Sequence, residues 1–323
     1  PDDVALIRRW IQHGMPAQED VIEPEPRVLV NDKDREHWAF QKPRFSSIPN
    51  SKEFLPDDMA EQLASPIDSF VLARMRKRDA RLSLSPQSDQ LMLLRRVYFD
   101  LIGLPPSPVE TMAYFSASQR DPLAYERLID RLLASRHYGE RWARQWLDLA
   151  GYTDTREIDN DLITIVPHKG VWKYRDWVIR AFNDNLPFDR FLTMQLAGDE
   201  LVDWRNATQY TDHIKDHLIA TSFLRHNQDV TDHDQYGHKE RFDVLFMTMQ
   251  TFSSSVMGLT VGCAQCHDHK YEPMPQRDYY RLMGHFMAAY NPDDWVKPKD
   301  RYQTNVAGSE KAAIDQGNAR LNN

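Results

Sequence analysis

Four times between residues 65 and 122 the chain sets a serine or aspartate directly before a proline: Ser65-Pro66, Ser85-Pro86, Ser107-Pro108 and Asp121-Pro122. A short oxygen-bearing side chain caps the free amides of a helix start, and proline fits the first helical position because it has no amide to leave unpaired. Asp68 adds a carboxylate to the first turn, and Glu110 completes a capping box with Ser107. Apolar residues then recur at helical spacing, as in Leu91, Leu94, Val97 and Leu101 before Gly103, and in Leu128, Ile129, Leu132 and Leu133. Further helical patterns cover 138–150, 171–184, 188–198, 211–225, 238–258 and 276–290. An earlier one, Asp2 to His13, places Leu6, Ile7, Trp10 and Ile11 on one face and stops at Gly14. The alternation from Leu162 to Val166 has the period of a strand but stands alone. With no βαβ rhythm and no repeat at fixed period, the expected fold is mostly α: an irregular multi-helix domain with long structured loops.

Composition narrows the partners. With 323 residues, 41% of them hydrophobic, the chain can bury one large core or two smaller ones. Its net charge is −8 and no run of Lys and Arg stands out, which argues against a nucleic-acid partner. No 18-residue apolar stretch is present, so no membrane span is expected. Residues 17–64 carry Pro24, Pro26, Pro43, Pro49 and Pro56 and little helical period; they read as an extended connector docking through Trp38 and Phe40. Residues 293–323 read as an extension that includes a polar helix from Ala307. Because the chain starts at Pro1 with neither an initiator Met nor a signal peptide, it reads as a processed product or part of a longer polypeptide.

The only two cysteines lie in Cys263-Ala264-Gln265-Cys266-His267. C-x-x-C-H is the spacing at which two thiols add to the vinyl groups of a haem and the next imidazole binds its iron. Gly258 and Gly262 allow close backbone approach, and His267 is then the proximal ligand. Three other chemistries use such residues. A structural zinc would take Cys263, Cys266 and His267 or His269, but needs a fourth ligand. A thioredoxin-like dithiol needs a βαβ setting, and a disulfide closing so short a loop adds little stability. On the far side of a haem the candidates are His226, His137 and Met257; capping, solvent exposure and core filling are their plainer roles. His269, two residues past His267, cannot reach the opposite face and is expected to bond backbone or a propionate. Lys270 and Arg277 are expected to form surface salt bridges or to pair with propionates, and Tyr271, Tyr279 and Tyr280 to pack in the core or on the haem edge.

Longer segments carry a family resemblance. "SPIDSFVLA" at 65–73, "LLRRVYFDLIGLPPSP" at 93–108, "YERLIDRLLASRHYGERWARQWLDLA" at 125–150, "WKYRDWVIRAFNDNLPFDRFLTMQLAGDEL" at 172–201 and "GLTVGCAQCHDHKYEPMPQRDYYRL" at 258–282 resemble a secreted multidomain cytochrome c family abundant in Planctomycetes. "DDVALIRRWIQHGMP" at 2–16 resembles the tail of a preceding cytochrome module. The resemblance implies that residues 1–16 end that module, that 65–292 form a helical domain around one covalently bound haem c, and that a further region follows. It also implies a periplasmic or cell-surface setting and partners among other cytochrome modules or a redox protein. Single-electron transfer is the expected role. The alternatives are a five-coordinate haem oxidoreductase or peroxidase-like enzyme, and a structural part of a surface complex with haem as a buried staple. The chain departs from the family pattern at Gln145, where many relatives carry His, and in "HNQDVTDHDQYGHK" at 226–239.

Overall fold

The computed structural model describes residues 2–13, 30–50, 63, 65–157, 165–232 and 237–321. Gly14, and Pro24, Pro26 and Pro56 of the expected connector, lie outside these residues, as does Leu162. Before the main body come α1 (Asp2–Gln12) and the short α2 (Asp32–Arg35). The body follows as α3 (Pro66–Arg78), α4 (Gln90–Ile102), α5 (Pro108–Ser118), α6 (Ala124–Leu133), α7 (Arg136–Ala150), α8 (Trp172–Asn183), α9 (Phe188–Ala197), α10 (Asp212–Ala220), α11 (His238–Phe252) and α12 (Gln276–Phe286), and α13 (Gly308–Leu321) comes last. The chain is mostly α, as its helix signals require. One small antiparallel ribbon, β1 (Thr155–Glu157) with β2 (Ile165–Pro167), pairs Thr155 with Pro167 and Glu157 with Ile165. Ile165 and Val166, the described end of the apolar alternation, therefore have a strand partner, which is too short to show a period.

Two of the four caps act where the sequence sets them, and two helices start later. The Ser65 amide donates to the Asp68 carboxylate at 2.8 Å, and Ser107 with Glu110 closes a reciprocal box: the Ser107 amide donates at 2.8 Å and its hydroxyl accepts from the Glu110 amide at 3.2 Å. Ser85-Pro86 does not open α4. Asp89 does, its carboxylate accepting from the Met92 amide at 2.9 Å, because that cap sits directly before the apolar stripe starting at Leu91. Asp121-Pro122 forms a turn, with Asp121 accepting from the Leu123 amide at 3.0 Å, and α6 starts two residues later. Gly103 ends α4 at φ +72, the left-handed conformation glycine adopts at low cost.

Two apolar cores result. The smaller packs Leu94, Val97 and Tyr98 of α4 on Tyr114 of α5 and Leu128 and Leu132 of α6. The larger gathers α7, α8, α9, α11 and α12 around Trp146, Tyr174, Trp177, Phe191 and Phe223. Trp177 stacks on Phe191 at 5.2 Å, and Trp146 meets the same ring edge-on at 4.9 Å. Gln195, 1% exposed, holds the polar atoms of this core: its Oε1 accepts from Trp146 Nε1 at 2.8 Å and Tyr174 Oη at 2.6 Å, while its Nε2 donates to the Phe191 carbonyl at 2.9 Å.

The most extensive helix contact is α7 with α8, and it depends on Gly139. A Cβ there would lie 2.4 Å from the Ile179 carbonyl oxygen and 2.6 Å from Asn183. Asn183 locks the crossing by accepting from the Gly139 amide at 2.8 Å and donating to the Arg136 carbonyl at 3.2 Å.

Flanking segments dock on this body. Phe40 lines a cavity of about 440 Å³ with Leu259, Pro273 and Met274. Trp38 remains 82% exposed, so the expected docking through both aromatics is corrected to Phe40 alone. At the other end Arg301 pairs with Asp229 at 2.5 Å and Trp295 donates to the Thr231 hydroxyl at 2.7 Å, tying residues 295–301 to the helical body. Among the described residues no helix is long and apolar enough to cross a membrane.

Gly139→Ala is expected to destabilise the fold by about 1–3 kcal/mol through overpacking, measured by urea unfolding, with Asn183→Ala lowering stability through the same crossing. A Gly139→Ala protein as stable as the parent would show that the crossing tolerates a wider spacing.

Candidate functional site

The C-x-x-C-H segment follows α11 through a widened helical turn, Ser253–Met257. Helical periodicity predicts one helix through 258, but Ser254 and Ser255 donate their hydroxyls back to the carbonyls of Gln250 at 2.8 Å and Thr251 at 2.6 Å. Such back-bonding competes with the helix's own ladder, and π-type turns of this kind recur beside functional sites. Gly258 then reverses the chain at φ +65.

A 3₁₀ turn over Gly262–Gln265 carries the motif. At three residues per turn, side chains three apart eclipse one another. Val261 and Ala264, both buried, therefore point inward, and Cys263 and Cys266, both exposed and both free thiols, share the outer side. The turn is pinned to α12 because the Gln265 carbonyl accepts from Gln276 Nε2 at 3.1 Å and from Tyr280 Oη at 2.9 Å. Gly262 sits tightly too, since a Cβ on it would approach Gln250 Nε2 at 3.2 Å.

His267 follows directly and is exposed. Its Nδ1 lies 2.8 Å from the Asp268 carbonyl. A carbonyl only accepts, so Nδ1 carries the proton and the lone pair is left on Nε2, the arrangement that prepares an imidazole for a metal. The side chain of Asp268 accepts from the Gln276 amide at 2.9 Å, at the start of α12. His269 takes the backbone role expected of it: its Nδ1 accepts from the amides of Tyr271 at 3.3 Å and Glu272 at 2.9 Å. Two sulfurs on one side of a turn, followed by an oriented imidazole, suit a flat group bonded at two points and ligated at a third. Among the described residues no group of three or more His, Cys, Asp or Glu side chains forms a metal cluster.

The tyrosines and cations beside the motif separate. Tyr279 is buried, with its hydroxyl pushed up to about 12 by burial and by the neighbouring Tyr280 and Cys266. Tyr271 is exposed, and Lys270 lies over its ring at 5.3 Å. Arg277 is exposed on α12.

The three far-side candidates fall in three different places. Met257 ends the widened turn and is 44% exposed. His137 sits in the first turn of α7, with its Nδ1 2.7 Å from Glu140. His226 follows a 3₁₀ turn, Thr221–Arg225, and lines a cavity of about 1440 Å³. Among the described residues, that cavity's lining does not take in Cys263, Cys266 or His267. The His226 ring packs against Tyr174 at 4.5 Å and Tyr152 at 5.5 Å, and neither of its nitrogens has a partner among the described residues. Burial, aided by the charge of His168, pushes its pKa down from 6.5 to about 3, so the ring is neutral at pH 7. Sequence reasoning offered no signal for the cavity's other polar residues, which come from segments far apart in the chain.

Acid should therefore destabilise the protein through His226. The unfolded imidazole takes a proton near 6.5 and the folded one only near 3, so the unfolded state holds more protons between these values and stability falls as pH drops. Urea unfolding is expected to show a loss of roughly 1.4 kcal/mol per pH unit below about pH 6, and His226→Phe should remove that component. An equal slope in both proteins would show that His226 titrates normally.

Residues 66–291 match the family model described as PSCyt2, protein of unknown function (DUF1549), a stretch running from α3 past α12 and including the motif turn. No curated protein and no solved structure matches the chain. Since the family model covers more than two thirds of its length, the chain belongs to the PSCyt2 family of proteins of unknown function.

Proposed function

We propose that this chain is a mono-haem c-type cytochrome module that passes single electrons within a periplasmic or cell-surface protein. Cys263 and Cys266 would hold the haem as thioethers, each S–H adding across one vinyl group, so that sulfur bonds to carbon and its hydrogen ends on the neighbouring carbon. His267 would ligate the iron through Nε2. The observation that carries this reading is the bond from His267 Nδ1 to the Asp268 carbonyl, which leaves Nε2 as the ligating atom. The outward, eclipsed thiols support it, and so does the exposure of the motif, since a partner can then approach closely. The haem would supply a one-electron couple; the protein residues hold it, orient the imidazole and tie the turn to α12. Its partners would be other cytochrome modules or a redox protein.

A second reading, a five-coordinate haem with an open far side, has its own support. His137 is engaged by Glu140, and His226 lines a cavity that does not take in the motif residues. Such a centre would react with small molecules.

Chain produced in cells that attach haem c should show one added haem in its intact mass under denaturing conditions. Cys263→Ala and Cys266→Ala should each weaken or abolish covalent retention. His267→Ala should keep the covalent haem and lose its low-spin spectrum. A low-spin ferric form indifferent to carbon monoxide and cyanide supports electron transfer, with Met257→Ala, His226→Ala and His137→Ala each tested for conversion to high spin. A high-spin form that binds both ligands supports the second reading. An unmodified mass under those conditions sinks both.

A further inference from the structure

Five buried nitrogens on four residues lining the 1440 Å³ cavity have no hydrogen-bond partner among the described residues: Trp204 Nε1, Arg225 Nη1, Arg301 Nη2 and both ring nitrogens of His226. Buried polar atoms are almost always paired, so this concentration calls for a cause. All four residues can donate a hydrogen bond. Indole and guanidinium nitrogens only donate, and a neutral imidazole donates from one nitrogen and accepts at the other. Four of the five nitrogens therefore call for an acceptor, and the fifth, on His226, accepts from a donor such as a hydroxyl.

Charge points the same way. The lining carries five lysines and arginines against three carboxylates. Arg225 and Arg301 meet at Tyr290, their guanidinium carbons 4.2 and 6.0 Å from its ring centroid. Arg301 is tethered by Asp229 at 2.5 Å and by the Val296 carbonyl at 2.5 Å. Arg225 has one hydrogen bond, Nη2 to the Ala289 carbonyl at 3.2 Å, and no carboxylate partner among the described residues. A guanidinium stacked on an aromatic face keeps its in-plane N–H edge available, and that edge matches the paired oxygens of a carboxylate, phosphate or sulfate. The looser tether of Arg225 lets its fork turn into the cavity.

We propose that this cavity binds a small organic oxyanion, whose carboxylate, phosphate or sulfate group is taken by Arg225 and Arg301 while Trp204 and His226 donate to its other oxygens. The volume exceeds what an inorganic ion fills, and Tyr210 and Tyr302 are among the residues that line the remainder. The site is separate from the C-x-x-C-H turn, so the inference stands whether or not that turn carries haem.

The test is isothermal titration calorimetry of the full chain with citrate, inorganic phosphate and sulfate at constant ionic strength, against a chloride background. At least one oxyanion should bind saturably with one-to-one stoichiometry. The order of citrate against phosphate and sulfate separates a carboxylate ligand from an ester anion. Arg225→Gln should weaken that binding roughly tenfold or more, the scale of one charge-assisted bidentate contact, with circular dichroism confirming the fold. Arg281→Gln, a change to an exposed arginine of α12 paired with Asp278, should leave affinity unchanged. If the Gln variant fails to fold, Arg225→Lys keeps the charge and must still lose affinity, because an ammonium cannot form the fork. Binding of all three oxyanions no tighter than chloride, or equal affinity in the parent and the Arg225 variants, overturns the proposal.

Discussion

Much of the molecule's polar geometry hangs on one oxygen. Gln195 Oε1 accepts from both Trp146 and Tyr174 in the larger core, where neither donor reaches water. Trp146 Nε1 also reaches the Tyr174 hydroxyl at 3.0 Å. A buried donor without an acceptor costs about 1–3 kcal/mol, so this three-way network ties α7, α8 and α9 to one another as well as filling space. Tyr174, held through its hydroxyl, in turn packs its ring 4.5 Å from His226. A neutral imidazole on the cavity wall thus packs against a ring that is held by a hydrogen bond in the core behind it. The α7–α8 crossing at Gly139 makes the arrangement possible by letting the two backbones approach.

The same core presents the cysteine turn. Val261 and Ala264 anchor its inner side in the apolar cluster, and a 3₁₀ rise then sends Cys263 and Cys266 outward together. Had the turn been α-helical, thiols three apart would diverge by about 60°, since successive residues rotate by about 100°. The widened turn at Ser253–Met257 and the reversal at Gly258 break the helix just ahead of the motif. Local strain and packing cooperate here: serine hydroxyls loosen the end of α11, and Gln276 and Tyr280 of α12 capture the segment that emerges.

Much of this was legible in the residues. Helix starts at Ser65 and Ser107 and the stop at Gly103 obey local capping chemistry, which acts over three or four residues and so appears in a short window. Ser85 misled because a proline after serine is also compatible with extended chain, and the choice fell to Asp89, next to the apolar stripe. Of the ribbon, β2 overlaps the strand-period alternation ending at Val166, and β1 escaped because three residues show no period. Among site residues, the motif was plain from spacing alone; the offset of His269 excluded the far side, and the structure gives it the backbone role of the two expected. His226 was named for its identity; its burial between Tyr152 and Tyr174 depends on partners 74 and 52 positions away in the chain.

By itself, then, the sequence determined the mostly α class, most helix boundaries and the trio Cys263, Cys266 and His267, because each rests on contacts between near neighbours along the chain. Tertiary structure alone decided which nitrogen of His267 is left free, that the ring nitrogens of His226 are buried and the ring neutral, and that Arg225, Arg301 and Tyr290 converge on one cavity. Those properties depend on desolvation and on distances between segments remote in sequence, and neither exists until the helices have packed.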